Sequence, residues 1–389
     1  MTEIRVLSDE AQFRAHLAVF RRAMHWPPPN DEQWQIAQLS YEPGRVLAAF
    51  DGDEMIGTTL SFGSSLVVPG GAVVPHSAIS RVGVRADYTR RGVLTSLMRA
   101  QLEQLPDPVA TLRASEGRIY GRFGYGLAGR WRTVEIDAKR AVVAGEMTGR
   151  VRMIDADTAD KLLPELHAAV GLTRPGQIGR WVGWWARNRD RKTDAENSVA
   201  VVHSGPDGDD GFMVYKVSEV KDFKHKMSIE DMVWANDDAW RDLWIYASRL
   251  DLVDKIERDL ALDEPVSLLF DDPRVVYTED VNDEIWLRLV DVERMLQART
   301  YGVADPVVIE VQDRLLPAND GRYRVSSQGV ERVNAQADIT ITVDLLGAVY
   351  FGDTTFSQLA ATKRIVGARF GEADALFAVP QKPFCGTFF

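Results

Sequence analysis

One cysteine, Cys385, occurs in 389 residues. That excludes an internal disulfide and a cysteine metal cluster, and it fits a reducing compartment. Long apolar runs are missing as well: nothing approaches the roughly 18 residues of a membrane-spanning helix. The charged stretch from Met1 to Glu10 has no apolar core of a secretory signal. The expectation is a cytoplasmic chain with no membrane partner. Positive charge is in deficit, with 57 acidic against 46 basic side chains and a formal charge of -11. This argues against a polyanion binder, so nucleic acid is not expected as a partner. None of the six histidines is paired at metal-ligand spacing, so no metal is expected. There is no Gly-Lys-Ser/Thr phosphate loop and no G-x-S-x-G nucleophile turn.

What is present is a globular composition, 45% hydrophobic and 26% charged, in a chain too long for one domain of roughly 100 to 200 residues. Helical spacing from Glu10 to Met24 precedes a hairpin over Val46 to Phe62 with its turn at Asp51 to Glu54. A second hairpin turns at Pro69-Gly70-Gly71, and Ser80 to Val84 reads as another strand. Gly92 opens a helix with Leu94, Leu97, Met98, Leu102 and Leu105 on one face. A strand at Val109 to Leu112, a glycine-rich turn and alternating Trp131 to Ile136 close a first unit, 1–148. A middle unit, 149–282, repeats the succession in outline and carries six of the ten tryptophans, which their spacing assigns to core. A third, 283–389, begins with strand-like Trp286 to Leu289 and reads as α+β. No low-complexity linker separates the three.

The stretch Val82-Gly83-Val84-Arg85-Ala86-Asp87-Tyr88-Thr89-Arg90-Arg91-Gly92-Val93-Leu94-Thr95 is a strand running through a basic turn into an amphipathic helix. Unpaired N–H groups at a helix start, its positive dipole end and a glycine that admits close approach make an anion cradle. Its plainer reading is a basic turn capping a surface helix. Here the chain resembles the GCN5-related N-acetyltransferases, whose pyrophosphate loop reads Arg/Gln-x-x-Gly-x-Gly/Ala after a Val-x-Val strand. Thr89-Arg90-Arg91-Gly92-Val93-Leu94 departs from that pattern in its first and last slots. The run from Arg113 through Tyr120 to Gly126 narrows the resemblance to the Eis-type (enhanced intracellular survival) branch, whose members also have Leu in the last slot.

The resemblance implies two tandem acetyltransferase folds, the second degenerate, followed by a sterol-carrier-like α+β domain. It implies acetyl-CoA as co-substrate, with Arg90, Arg91, Gly92, Val93, Leu94 and Thr95 at the pyrophosphate. Val82, Gly83 and Val84 would lie at the pantetheine arm, and Ser115 and Glu116 at further cofactor positions. Direct transfer to a primary amine needs a polarised carbonyl, a base for the ammonium proton and an acid for the thiolate. The family's acid corresponds to Tyr120, with Tyr125 the rival. Its base corresponds to the α-carboxylate of Phe389, at the end of the apolar Phe384-Cys385-Gly386-Thr387-Phe388-Phe389; a terminal plug that only packs is the alternative.

Trp26, Trp34, Arg81 and Phe388 correspond to the acceptor side. Arg81 stands where an aromatic is typical, Phe388 where members acting on polycationic antibiotics carry an acid, and Met24-His25-Trp26 lacks an acid. The resemblance implies an aminoglycoside-like, small-amine or lysine acceptor, and these three departures point to a smaller or more apolar amine than an aminoglycoside. A homo-oligomer, a hexamer in the family, is implied. The non-enzymatic alternative is a lipid or hydrophobic-ligand carrier with a relic cofactor domain. Gly124-Tyr125-Gly126-Leu127-Ala128-Gly129 matches the dinucleotide fingerprint but runs into a strand, not a helix, so it is set aside.

Overall fold

The computed structural model describes residues 2–193, 198–221 and 224–389. The first unit runs β1 (Glu3–Val6), α1 (Glu10–Ala23), α2 (Asp31–Ala37), β2 (Val46–Asp51), β3 (Glu54–Val67), β4 (Val73–Val84), α3 (Val93–Gln104), β5 (Val109–Leu112), α4 (Gly117–Tyr120) and β6 (Gly126–Asp137). Helix α1 starts at Asp9, whose side chain accepts the Gln12 N–H, and buries Phe13, His16 and Leu17 at i, i+3, i+4. The two hairpins and the separate strand expected over 46–84 are one meander, because β3 and β4 pair without a break in the chain from Val67↔Val73 to Gly57↔Val84.

The second unit is β7 (Arg150–Ile154), α5 (Ala156–Val170), α6 (Val182–Thr193), β8 (Ser198–Gly205), β9 (Gly208–Lys221), β10 (Lys224–Trp234), α7 (Asp237–Ser248), β11 (Lys255–Ala261) and β12 (Val276–Leu289). The two units share a 12-stranded sheet ordered β1-β2-β3-β4-β5-β12-β6-β11-β10-β9-β8-β7. They have exchanged last strands: β6 pairs with β11, and β12 lies between β5 and β6. The boundary drawn at 282/283 therefore falls inside β12. Trp286 to Leu289, read as the first strand of the third unit, pairs with β5 instead, since alternation marks a strand without naming its neighbour.

The third unit comprises α8 (Val292–Ala298), β13 (Val307–Gln312), β14 (Gly321–Ser326), β15 (Gly329–Val333), β16 (Ile339–Thr342), α9 (Val343–Tyr350), α10 (Phe356–Ala361), β17 (Val366–Gly367) and α11 (Phe370–Phe377), with a sheet ordered β15-β14-β13-β16-β17. Its core is continuous with Leu66, Val109, Ile285 and Leu287 of the large sheet. Helix α9 lies directly on the β6 backbone, where a Cβ on Gly126 would fall on the Asp344 carbonyl. That contact accounts for Gly126 in the fingerprint-like run, and Arg288–Asp313, a fully buried ion pair of 2.7 Å, fastens β12 to the same unit.

Of the six central tryptophans, Trp184 and Trp244 are buried and the other four half-buried. Among the described residues, no helix is long and apolar enough to cross a membrane.

Candidate active site

Strands β4 and β5 run parallel but pair only at Ser77↔Ala110 and Ala78↔Thr111. Beyond that rung they part, so the β5-facing backbone groups of residues 79–84 have no strand partner. Buried N–H groups in such a gap demand one. Where the strands part, β4 also bulges: Arg81 and Val82 together face Thr59, between the pairs Leu60↔Ser80 and Thr58↔Gly83, and Arg81 has φ +52°. A bulge of this kind re-aims side chains beside functional sites.

The far end of β4 leads to the basic turn. Arg90 (φ +61°) and Gly92 (φ +83°) both take the left-handed conformation. Gly92 is the N-cap of α3 with no side-chain cap, and a Cβ placed there would meet nothing within 4 Å. The first intrahelical bond is Ser96 N–H to Gly92 O, which leaves the N–H groups of Val93, Leu94 and Thr95 orphaned at the dipole's positive end. Arg90 and Arg91 are exposed, with the Arg91 guanidinium 5.0 Å above the Tyr88 ring. Gap, bulge, open helix start and cationic turn fit an extended phosphorylated thioester such as acetyl-CoA. Ser115 and Glu116 lie exposed between β5 and α4.

Tyr120, on α4, packs with Ile79, Leu112, Val82 and Leu94 along the parted strands. Burial, with the Glu116 charge added, pushes its hydroxyl up to about 12, so it stays protonated at neutral pH. Tyr125 lies edge to face with it at 6.1 Å. Its hydroxyl is buried with no partner, and burial pushes its pKa up as well. The nearby histidines cannot take protons at neutral pH. Burial holds His16 down at about 3, with the Arg81 charge adding to it, and burial does the same to His76.

The chain from Val379 onward has no regular structure, so other residues satisfy its backbone. Buried Glu284 accepts the N–H groups of Cys385 and Gly386, each at 2.9 Å, and pairs with Arg113 at 2.9 Å. Arg113 also donates to Thr387 O at 3.3 Å. Arg180, held bidentately by Asp231, donates to Thr387 Oγ1 at 3.1 Å. The Trp184 indole donates to Phe388 O at 2.9 Å, and Phe384 N–H goes to Pro175 O. The Phe389 ring stands edge-on to Phe62 (5.8 Å) and Trp181 (6.4 Å). Phe62 is opposite Ala78, the residue of the last β4–β5 rung, so the tail ends where the gap begins. The sequence marks the tail as an apolar segment that inserts, but its holders Arg113, Glu284, Arg180 and Trp184 were not singled out for that role. The one local signal was a coil segment whose N–H groups need buried acceptors. Cys385 is buried, its thiol pushed up to about 11 by burial and by Glu284.

The four acceptor-side residues divide. Arg81 lies 4.5 Å over the Tyr41 ring, its Nη1 buried without a partner. Trp26 is exposed at the end of α1, edge-on to Phe20, and Phe388 is exposed with its ring 4.9 Å from the Arg113 guanidinium. Trp34 corrects the expectation: it is 4% exposed, bonded through its indole N–H to Glu10 at 3.2 Å, and packed behind Tyr41 as core.

Comparison with known proteins follows this geometry. Two family models, each described as an acetyltransferase (GNAT) domain, match residues 3–128 and 176–292. A sterol carrier protein domain matches 292–386. An uncharacterized N-acetyltransferase of Streptomyces griseus is 34% identical over 93% of either chain. The N-acetyltransferase Eis of Mycobacterium tuberculosis is 29% identical over 81% of this chain and 80% of its own. The crystal structure of Eis1 from Mycobacterium abscessus superposes with a TM-score of 0.92 at 37% identity, covering 100% of both chains.

Proposed function

We infer that this chain, which belongs to the Eis-type GCN5-related N-acetyltransferases, moves an acetyl group directly from acetyl-CoA to a primary amine. The observation that supports this reading is the Phe389 ring edge-on to Phe62 and Trp181, with Phe62 opposite Ala78 of the last β4–β5 rung, beside the gap that the reading gives to the cofactor. Bound acetyl-CoA supplies the activated acetyl group.

Gly92, Val93, Leu94 and Thr95 hold its pyrophosphate through backbone N–H groups, with Arg90 and Arg91 adding charge. The free edge at Val82, Gly83 and Val84 takes the pantetheine arm and the carbonyl, and Ser115 and Glu116 flank it. The α-carboxylate of Phe389 takes the ammonium proton, and the Tyr120 hydroxyl gives its proton to the departing sulfur. Tail contacts through Glu284, Arg113 and Trp184 fix the carboxylate's position, which matters because misplacement of a catalytic group by about 1 Å can cost ~10²-fold.

Arg81 and the exposed Phe388 ring make the acceptor side cationic and apolar, which favours a small monoamine over a polycation or a lysine in an acidic context. Assembly as a homo-oligomer, hexameric as in the family, and a cytoplasmic location without nucleic-acid or membrane partners belong to the same proposal. The carrier reading is disfavoured by Arg299. Its buried guanidinium donates to the Tyr350 and Phe377 carbonyls at the ends of α9 and α11 and fills the space between the Tyr301, Tyr350 and Phe377 rings.

Thiol release from acetyl-CoA over a panel of amines tests the reading. Benzylamine-sized monoamines are expected to give kcat/KM at least ~10-fold above a polycationic aminoglycoside. No thiol release above the amine-free blank with any amine overturns it.

A further inference from the structure

The second unit has a strand split of its own. Strands β10 and β11 pair in parallel from Lys226↔Lys255 to Ser228↔Glu257 and then part, and β10 bulges just beyond, between Ile229 and Asp231. This repeats the arrangement of β4, β5 and Arg81. The phosphate turn is not repeated. Asn236 caps α7 by accepting the Ala239 N–H, and Asp237 and Asp238 occupy its first turn, so the donors are used and phosphate is repelled.

A cavity of about 250 Å3 nevertheless occupies this split, closed on the far side by Arg113, Trp131 and the tail at Phe384, Cys385 and Gly386. At about 30 Å3 per water it has room for roughly eight. Its unsatisfied polar atoms are all donors. Arg258 is 6% exposed; its Nη2 reaches Met232 O at 3.3 Å, while Nε and Nη1 are buried without partners. Trp131 Nε1 and Arg113 Nε, in the same wall, are also buried without partners. The carboxylates here are engaged: Asp231 by Arg180, Glu284 by Arg113, Glu230 by Lys216, Glu264 by Trp240 and Asp259 by Thr133. Arg258 feels Glu264, Asp231 and Asp259 only through space. A buried guanidinium with idle N–H groups is strongly unfavourable unless something accepts from them.

We propose that the retained split of the second unit binds a small monocarboxylate, its oxygens taken by the idle Nε and Nη1 of Arg258 and its apolar body lying against Trp234, the ring that the Arg258 guanidinium already faces. Four arginines face five carboxylates in the lining. That leaves no surplus of positive charge, so a multiply charged anion is opposed and a monocarboxylate is held only through the idle Arg258 N–H groups. The cavity shares the tail and Phe388 with the proposed acceptor side, but Arg258 has no part in acetyl transfer and benzoate binding is read without turnover, so a failure of the transferase reading leaves the proposal intact.

The test is titration of the whole protein with benzoate and with benzamide, read by tryptophan fluorescence and calorimetry. Benzoate is expected to saturate and to bind at least ~10-fold more tightly than benzamide, because a charge-assisted bond to guanidinium is the stronger one. Arg258→Gln should lose at least ~10-fold of benzoate affinity with acetyl-CoA affinity unchanged, and Arg258→Lys should recover part. Two sources of the carboxylate then separate kinetically. If it sits on the acceptor, 4-(aminomethyl)benzoate is acetylated with a KM raised by Arg258→Gln; if it sits on a free acid, benzoate alters turnover of benzylamine without competing with it. Equal affinity for benzoate and benzamide, no saturation, or wild-type benzoate affinity in Arg258→Gln overturns the proposal. Should Arg258→Gln fail to fold, wild-type melting decides: a Tm that rises with benzoate but not benzamide supports the site, and identical melting with both refutes it.

Discussion

Two neighbouring tyrosines compete for the role of acid, and the proposal gives it to Tyr120. Both are buried and 6.1 Å apart, and burial keeps both protonated. Both belong to the cluster along the parted strands, and Tyr120, raised to about 12 by burial with Glu116 nearby, remains protonated throughout the pH range of assay. The Tyr125 hydroxyl has no partner at all, so its removal deletes no bond. Tyr120→Phe should therefore lower kcat by ~10²-fold with little change in acetyl-CoA KM. Tyr125→Phe should keep kcat within about 2-fold and melt no lower than wild type, since an unpaired buried hydroxyl contributes nothing favourable. Steady-state kinetics and thermal melts of the two variants check this; a crippled Tyr125→Phe beside an active Tyr120→Phe would reverse the roles.

At the scale of elements, the turn at Arg90-Arg91-Gly92 and the helix after it were legible because every component lies within a few residues. The left-handed glycine, the orphaned N–H groups and the adjacent arginines are all local consequences of sequence. Gly92→Asp should raise the acetyl-CoA Kd at least ~10-fold, because φ +83° strains any side chain and the added charge opposes phosphate at the dipole's positive end. Arg91→Ala, which removes one exposed charge, should do less. Calorimetry on the folded variants decides, and wild-type affinity in Gly92→Asp would remove the pyrophosphate from this turn. The gap to which the proposal assigns the rest of the cofactor was not legible. It depends on β4 and β5 ceasing to pair after Ala78↔Thr111, and nothing in Val109 to Leu112 says how many rungs its strand will make. The exchange of β6 and β12 is hidden for the same reason: Trp286 alternates like any strand, and its partner Leu112 lies far away in sequence. Trp34, which the resemblance puts on the acceptor side, is 4% exposed and packs with Tyr41, since correspondence to a family position does not say which way a side chain is buried.

Taken as a whole molecule, three units are held together by groups that also build the site, and the tail is where this coupling is most direct. Its apolar ending was visible in the sequence; its holders come from the residue after β5, from β12 and from the segment around α6, all distant from it along the chain. Glu284 collects two tail N–H groups and Arg113 with 1% of its side chain exposed, so the third unit can present Phe389 to the first only when the second is also in place. An α-carboxyl group has a reference pKa of about 3.3 to 3.7 and is ionised at neutral pH, ready to accept a proton if it is positioned. Position, more than side-chain identity, should then govern turnover. Phe389→Ala keeps a carboxylate at the same backbone place while losing contacts to Phe62 and Trp181, and it should retain part of the activity. Three glycines added after Phe389 leave every tail hydrogen bond through Phe388 O available but move the carboxylate away; that protein should fold and bind acetyl-CoA normally while kcat falls by ~10²-fold or more. A pH–rate profile separates base loss from general damage, because the extended protein should regain rate at alkaline pH as free amine replaces ammonium. Full activity at pH 7 in a protein shown by mass spectrometry to carry the intact extension would assign the proton to another group.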